Sequence, residues 1–232
     1  MIASLLGLEH AARAESGADS AERRMLYYPA PRGTGLRRFA LGLSVDVLPR
    51  RLVESELRQV PKLAVAARFG LPSELFFNAR VLANGFVNEL SLAFGGALRW
   101  NQLAGGAHAR GAFWLGYVGV EGFDTTSWGV LTFPGLSVGY ARMDGVHVSA
   151  GLEAILVHAQ HVQLPDADVE RVRFDLAGFI ASVAVETALG NGGLIYYGVA
   201  VSWARPDYQL WLAFSDNDRW QPYPTFFAGY GF

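Results

Sequence analysis

Residues 223–232 read Tyr-Pro-Thr-Phe-Phe-Ala-Gly-Tyr-Gly-Phe. Every second residue back from Phe232 is Tyr230, Ala228 and Phe226, and between them stand Gly231, Gly229 and Phe227. Side chains alternate between the two faces of a strand, so this segment is a strand with one aromatic, apolar face. Ends of soluble domains usually fray and are polar. An apolar strand in this place needs a surface to lie against. Hydrophobic residues make up 51% of the 232-residue chain and charged residues only 17%, where an average domain carries about 25% charge. Yet there is no run of ~18 apolar residues, the length a membrane helix needs. Strands that cross a membrane predict this combination, because only every second residue meets lipid. The competing expectation is a soluble all-β sandwich or a lipocalin-like carrier.

Alternation recurs from Arg37 onward with turn residues between. Phe39, Leu41, Leu43, Val45 and Val47 share a face, as do Leu63, Val65, Ala67 and Phe69. Pro72-Ser73 turns the chain into Leu75, Phe77, Ala79 and Val81, and Asn84-Gly85 is a strong hairpin signal. Leu90, Leu92, Phe94, Leu98 and Trp100 follow. Gly105-Gly106 predicts the next turn, into Phe113, Leu115 and Tyr117, and 121–127 reads as a polar loop. Leu136, Val138 and Tyr140 lead to the Asp144-Gly145 turn, then Val146, Val148, Leu152 and Leu156. Residues 158–171 read as a longer polar loop, and Phe174, Leu176 and Ile180 open the eighth segment. Its phase blurs after Phe179, as at a bulge. Asn191-Gly192-Gly193 turns into Ile195, Tyr197, Val199, Val201 and Trp203. Short and long connections alternate, which makes 205–222 one excursion with 208–214 projecting beyond the membrane, and gives ten strands. Twelve result if 25–28 and 208–214 also cross.

The faces opposite these apolar rows are rich in Gly, Ala and Ser. They also carry Asp46, Arg68, Arg80, Glu89, Arg99, His108, Arg110, Glu153, Arg173 and Asp175. Small residues suit a crowded interior, and aromatics such as Trp100, Tyr117, Trp128, Tyr140 and Trp203 sit near strand ends, as in interfacial girdles. The expected fold is therefore all-β: a closed antiparallel up-and-down transmembrane barrel of about ten strands over 36–232. Its mixed interior charges should pair, because unpaired buried charge is costly. Ten strands enclose a narrow lumen.

The row Phe226, Tyr230, Phe232 resembles the last strand of bacterial outer-membrane β-barrels. The resemblance implies a sorting signal read by the barrel-assembly machinery, an outer-membrane location, and contact with membrane lipid and lipopolysaccharide. The charge-paired, narrow lumen argues against a wide porin and for a narrow transport conduit or a structural barrel, with the small solute or lipid ligand unspecified. Residues 1–35 stand apart. Met1 to Leu8 is apolar and Ala12-Arg13-Ala14 is a small-x-small site, but a basic start is missing and Glu9 and His10 interrupt the apolar stretch. This segment is either a clipped signal peptide or a periplasmic or plug-like piece.

Absence of cysteine excludes disulfides and thiolate metal sites. A net charge of −2 gives no basic footprint for nucleic acid. No cofactor is expected. His147-x-Ser149 with Glu153 has the residue types of an activated hydroxyl and resembles the His-x-Ser of outer-membrane lipid A deacylases. Ala150 stands where that family has Asn, its Glu lies further downstream and its barrels have fewer strands. A hydrolase acting on lipid or peptide is thus the alternative to two polar lumen residues. His158 and His161 have possible metal spacing in the expected loop 158–171, although no metal is expected there. With Asp207, Asp216 and Asp218 they resemble the acidic and His residues of ten-stranded outer-membrane proteases, whose strands are longer. Acidic loops could instead hold Ca²⁺ bridging lipopolysaccharide phosphates. Trp211, Phe214, Trp220 and Tyr223 predict either a cap or an interfacial belt.

Overall fold

The computed structural model describes residues 26, 27, 29, 37–48, 59–73, 75–84, 87–120, 123–142, 145–164, 167–189, 192–209 and 219–232; for 37, 118–120, 123–125, 164, 167–173 and 207 it describes the backbone alone. Ten strands follow one another: β1 Arg37–Val47, β2 Gln59–Gly70, β3 Leu75–Ala83, β4 Val87–Trp100, β5 Leu103–Val120, β6 Phe123–Ala141, β7 Val146–Leu164, β8 Ala167–Ala188, β9 Leu194–Ala204 and β10 Gln221–Gly231. Each pairs antiparallel with its sequence neighbour, and β1 pairs with β10 to close the barrel. Closure satisfies every ladder edge, which is the condition for putting strands into lipid. At the seam Phe39 and Phe232 exchange both backbone hydrogen bonds, at 3.3 and 2.9 Å, and their rings stack 6.4 Å apart.

The apolar rows face outward. Leu43, Leu98, Leu136 and Phe226 are each more than half exposed, as are Trp100, Tyr117 and Trp203. Asp46, Arg68, Glu89, Ser91, His147 and Glu186 are buried inside. A soluble barrel would carry these faces the other way round, so the lipocalin-like alternative is overturned. The small residues of the inner face make room for rings. A Cβ on either Gly42 or Gly229 would collide with the hydroxyl of Tyr196.

The wall is uneven. β5 to β8 are 18, 19, 19 and 22 residues long, whereas the other strands have 9 to 14. A crossing strand needs only about 9–11. The tall strands therefore continue past the membrane at the end away from Arg37 and Gly231. This corrects two expected loops. Most of 121–127 is paired strand (Val120 opposite Phe123), and so is most of 158–171 (Gln160 opposite Arg171). Beyond lipid a hairpin keeps its backbone ladder without needing an apolar face, so its sequence reads as polar loop.

Gly105-Gly106 is not a turn either. It pairs with Leu98 and Ala97 inside β5, and the chain reverses at Asn101-Gln102, with Asn101 at φ 54°. Asn is among the few residues besides glycine that adopt this left-handed conformation readily. The bulge expected after Phe179 lies just before it. Ile155 is opposite Gly178 and Leu156 opposite Leu176, which leaves Ala177 as the extra residue. The phase flips there, so Phe174 and Leu176 face out, Phe179 faces out again, and Ile180 turns inward against the core. The twelve-strand alternative is also overturned. Residues Pro206–Tyr208 form a single 3-10 turn, and Tyr208 and Gln209 are buried in the lumen rather than projecting outward. Residues 210–218, with Trp211, Phe214, Asp216 and Asp218, lie outside the described residues.

Candidate functional site: a layered lumen

The lumen has three layers. The central one is a band of ion pairs. Arg80 on β3 meets Glu89 on β4 at 2.9 Å, and Glu89 also accepts from Arg110 on β5 at 3.0 Å. Arg110 continues to Glu153 on β7 at 3.1 Å, and His108 on β5 reaches the other oxygen of Glu153 at 2.9 Å. Strand β6 lies between β5 and β7, with Gly135 directly opposite both His108 and Glu153. A Cβ there would sit 2.8 Å from the His108 ring and 2.9 Å from the Glu153 Cγ. Glycine at this one position lets side chains two strands apart touch. A second pair stands nearby, where Asp46 takes Lys62 at 2.5 Å and the Thr225 hydroxyl at 2.7 Å.

The layer toward the far end is apolar. Leu131, Phe133, Ile155, Val157, Trp114, Tyr208 and Tyr223 form one buried cluster with Leu48, Val60 and Val87. Its residues are inward positions of the same strands that bear the charges. The Arg110 guanidinium lies 3.7 Å over the Phe133 ring and joins the two layers. Tyr208 packs against Trp114 at 5.7 Å and hydrogen-bonds Tyr223, whose hydroxyl accepts from Gln209 Nε2 at 2.6 Å.

At the opposite mouth, near the ends of the chain's barrel, a piece of residues 1–35 lies inside. Glu186 on β8 accepts the backbone N–H of Leu26 at 2.6 Å and of Tyr27 at 3.0 Å. Arg68 on β2 donates to the carbonyls of Leu26 at 2.6 Å and Pro29 at 3.2 Å. The Tyr27 ring stacks on Phe227 at 5.2 Å and tilts against Tyr196 at 5.5 Å. Between these two ends remains a cavity of about 320 Å³, touched by Tyr27 at one side and Tyr208 at the other.

The sequence-expected site residues are distributed as follows. Asp46, Arg68, Arg80, Glu89, His108, Arg110 and Glu153 line the lumen as described. Arg99 donates to the Asn101 carbonyl at 3.1 Å, at the turn rather than in the band. Asp175 pairs with Arg205 at 2.5 Å. The Arg173 side chain lies outside the described residues. Phe226, Tyr230 and Phe232 all point outward.

His147 and Ser149 are buried on the inner face of β7. Glu153 lies six positions beyond His147, about 20 Å along an extended strand, and both Glu153 oxygens are taken by His108 and Arg110. The structure does not bring these three into a catalytic arrangement. His158 bonds the Thr132 hydroxyl at 2.7 Å and His161 stacks on Trp128 at 6.0 Å, so the two go to different partners. Among the described residues no group of three or more His, Asp or Glu side chains could hold a metal ion. Trp220 is exposed and packs edge-on to Phe179 as part of the outer belt, whereas Tyr223 is buried in the cap.

Sequence reasoning missed Glu186, Lys62, Thr225 and the Phe133 layer. Glu186 continues the inward series Ser182, Ala184 once the bulge is located; the blurred phase hid it. Lys62 precedes the apolar row that opens at Leu63, so it fell outside the expected strand.

The fold and the inverted faces define a closed ten-stranded transmembrane β-barrel with an occupied, charge-paired lumen. No family model matches the chain, and no curated protein matches its sequence. Three solved structures are similar to it in chain path. Neisserial surface protein A (NspA) is 11% identical with TM-score 0.37 over 84% of this chain and 94% of that one. The translocator domain of autotransporter NalP from Neisseria meningitidis is 9% identical with TM-score 0.43 over 99% and 96%. CdiB from Acinetobacter baumannii is 12% identical with TM-score 0.34 over 72% of this chain and 31% of that one. Identity at this level transfers no residue role.

Proposed function

We propose that this is a bacterial outer-membrane barrel whose lumen is a narrow conduit for small solutes. The observation that carries the reading is the ion-pair band Arg80–Glu89–Arg110–Glu153–His108 beside a cavity of about 320 Å³. A purely structural barrel could fill its interior with apolar side chains at no desolvation cost, whereas buried ion pairs often add no net stability. Charges kept in a narrow lumen instead set which solutes enter and which are refused. The outward row Phe226, Tyr230, Phe232 is the part we assign to the assembly machinery, and the exposed apolar belt to lipid and lipopolysaccharide.

Purified protein in a planar lipid bilayer tests the reading. The conduit gives small discrete conductance steps, and Arg110→Ala changes their size and ion selectivity by about twofold or more, because lumen charge tunes selectivity. If neither the parent nor Arg110→Ala conducts above bare lipid, the structural-barrel reading replaces it.

A further inference from the structure

Four hydrogen bonds at the mouth near Arg37 and Gly231 go to main-chain atoms of Leu26, Tyr27 and Pro29, each of which sits at a bend of the chain. Glu186 takes two successive N–H groups, and Arg68 gives to two carbonyls. Both side chains are buried, at 1% and 2% exposure. Backbone N–H and C=O groups are common to any peptide, so a carboxylate and a guanidinium set across a lumen grip a chain irrespective of its sequence. Charge-assisted bonds of this kind are about twice as strong as neutral ones. Selection comes from the slot beside them, where the Tyr27 ring lies between Phe227 and Tyr196. Glycine keeps that slot open, since a Cβ on Gly42 or Gly229 would strike Tyr196 and one on Gly198 would lie 2.5 Å from the Phe227 ring. Leu26 fills the remaining apolar corner against Ala40, Leu194 and Tyr196.

We propose that this mouth is a peptide-binding site for a short, bent segment bearing an aromatic residue, and that Leu26, Tyr27 and Pro29 are its exchangeable resident. The site goes beyond the conduit reading and holds whether or not the barrel conducts. A resident on a short tether has an effective concentration in the millimolar range, so free peptide at several millimolar displaces a comparable fraction of it.

The 232-residue chain has no cysteine, so Leu26→Cys in it introduces a single thiol. Its reaction with a bulky water-soluble maleimide, followed in detergent micelles, reports how often the segment leaves. Folded protein, identified by its heat-modifiable migration in SDS, should label at least about tenfold more slowly than boiled protein. Adding Glu186→Ala removes both of its bonds to the segment and should raise the folded rate by at least about tenfold. A synthetic peptide of residues 22–33 at about 5 mM should raise it severalfold. The same peptide with Gly in place of Tyr27 should not, because the slot stays empty.

Equal labelling of folded and boiled protein overturns the seating. Unchanged protection in folded Glu186→Ala overturns the grip. Where Glu186→Ala does not fold, the peptide arm decides. No acceleration by the 22–33 peptide, or equal acceleration by its Gly version, overturns the site. Labelling is independent of conductance, so failure here and failure of the conduit reading are distinguishable.

Discussion

The charged band and the apolar cluster of the lumen occupy equivalent positions. Both are built from inward residues of the same strands, and on β5 they are only four residues apart, Arg110 in one and Trp114 in the other. They differ in how each residue is satisfied. Phe133 and Ile155 need only neighbours of the right volume, whereas Glu153 needs His108 and Arg110 at specified atoms. The apolar layer should therefore respond to lost volume, and the charged layer to lost partners.

The largest expected effect is Phe133→Ala, which empties a fully buried ring site and removes the support beneath Arg110. Such truncations cost about 3–5 kcal/mol, to be read as a lower midpoint in urea unfolding from micelles. A loss under about 1 kcal/mol would mean that water fills the layer, and the contrast between the two layers would collapse. Glu153→Ala comes next, at about 3 kcal/mol, because it leaves His108 and Arg110 without one partner each. The companion variant Glu153→Gln should recover part of this loss, and equal losses in the two would show that geometry rather than charge is at stake.

Gly135→Ala should cost about 1–3 kcal/mol by pushing His108 away from Glu153. It can be checked by adding it to Glu153→Ala, where its own effect should shrink because the obstructed contact is already gone. The smallest effect is Thr225→Val, about 1 kcal/mol for one hydrogen bond to Asp46 that Lys62 still accompanies. An effect as large as that of Glu153→Ala would make Asp46 part of the same band.

Much of the barrel was legible because lipid imposes a rule that sequence obeys. Wherever a strand crosses the apolar zone its outer face must be apolar, so Leu90, Leu92 and Phe94 declare both a strand and its phase. The rule lapses beyond the membrane, which is why the upper parts of β5 to β8 read as loops. It also says nothing about inner residues. Leu131 and Phe133 follow no pattern that separates them from lipid-facing residues, so the apolar layer was invisible. One extra residue at Ala177 was enough to misplace Ile180 and hide Glu186, since side-chain facing has a period of two. The seating of Leu26 and Tyr27 left no trace in spacing, because it uses backbone atoms that every residue has.

The bare backbone of Gly135 has a mechanical consequence. A hoop whose staves are joined only to their neighbours can be squashed into an ellipse, each joint giving a little. A strut from the fifth stave to the seventh fixes the angle at the sixth, as a diagonal stiffens a frame. The His108–Glu153 and Arg110–Glu153 contacts are such struts. They brace one arc of the circle with ion pairs, while where β10 meets β1 the side-chain links are the Thr225–Asp46 hydrogen bond, the stacked rings of Phe39 and Phe232, and the Tyr196 ring laid over Gly229 and Gly42. Flattening of this barrel should spare the arc from β5 to β7.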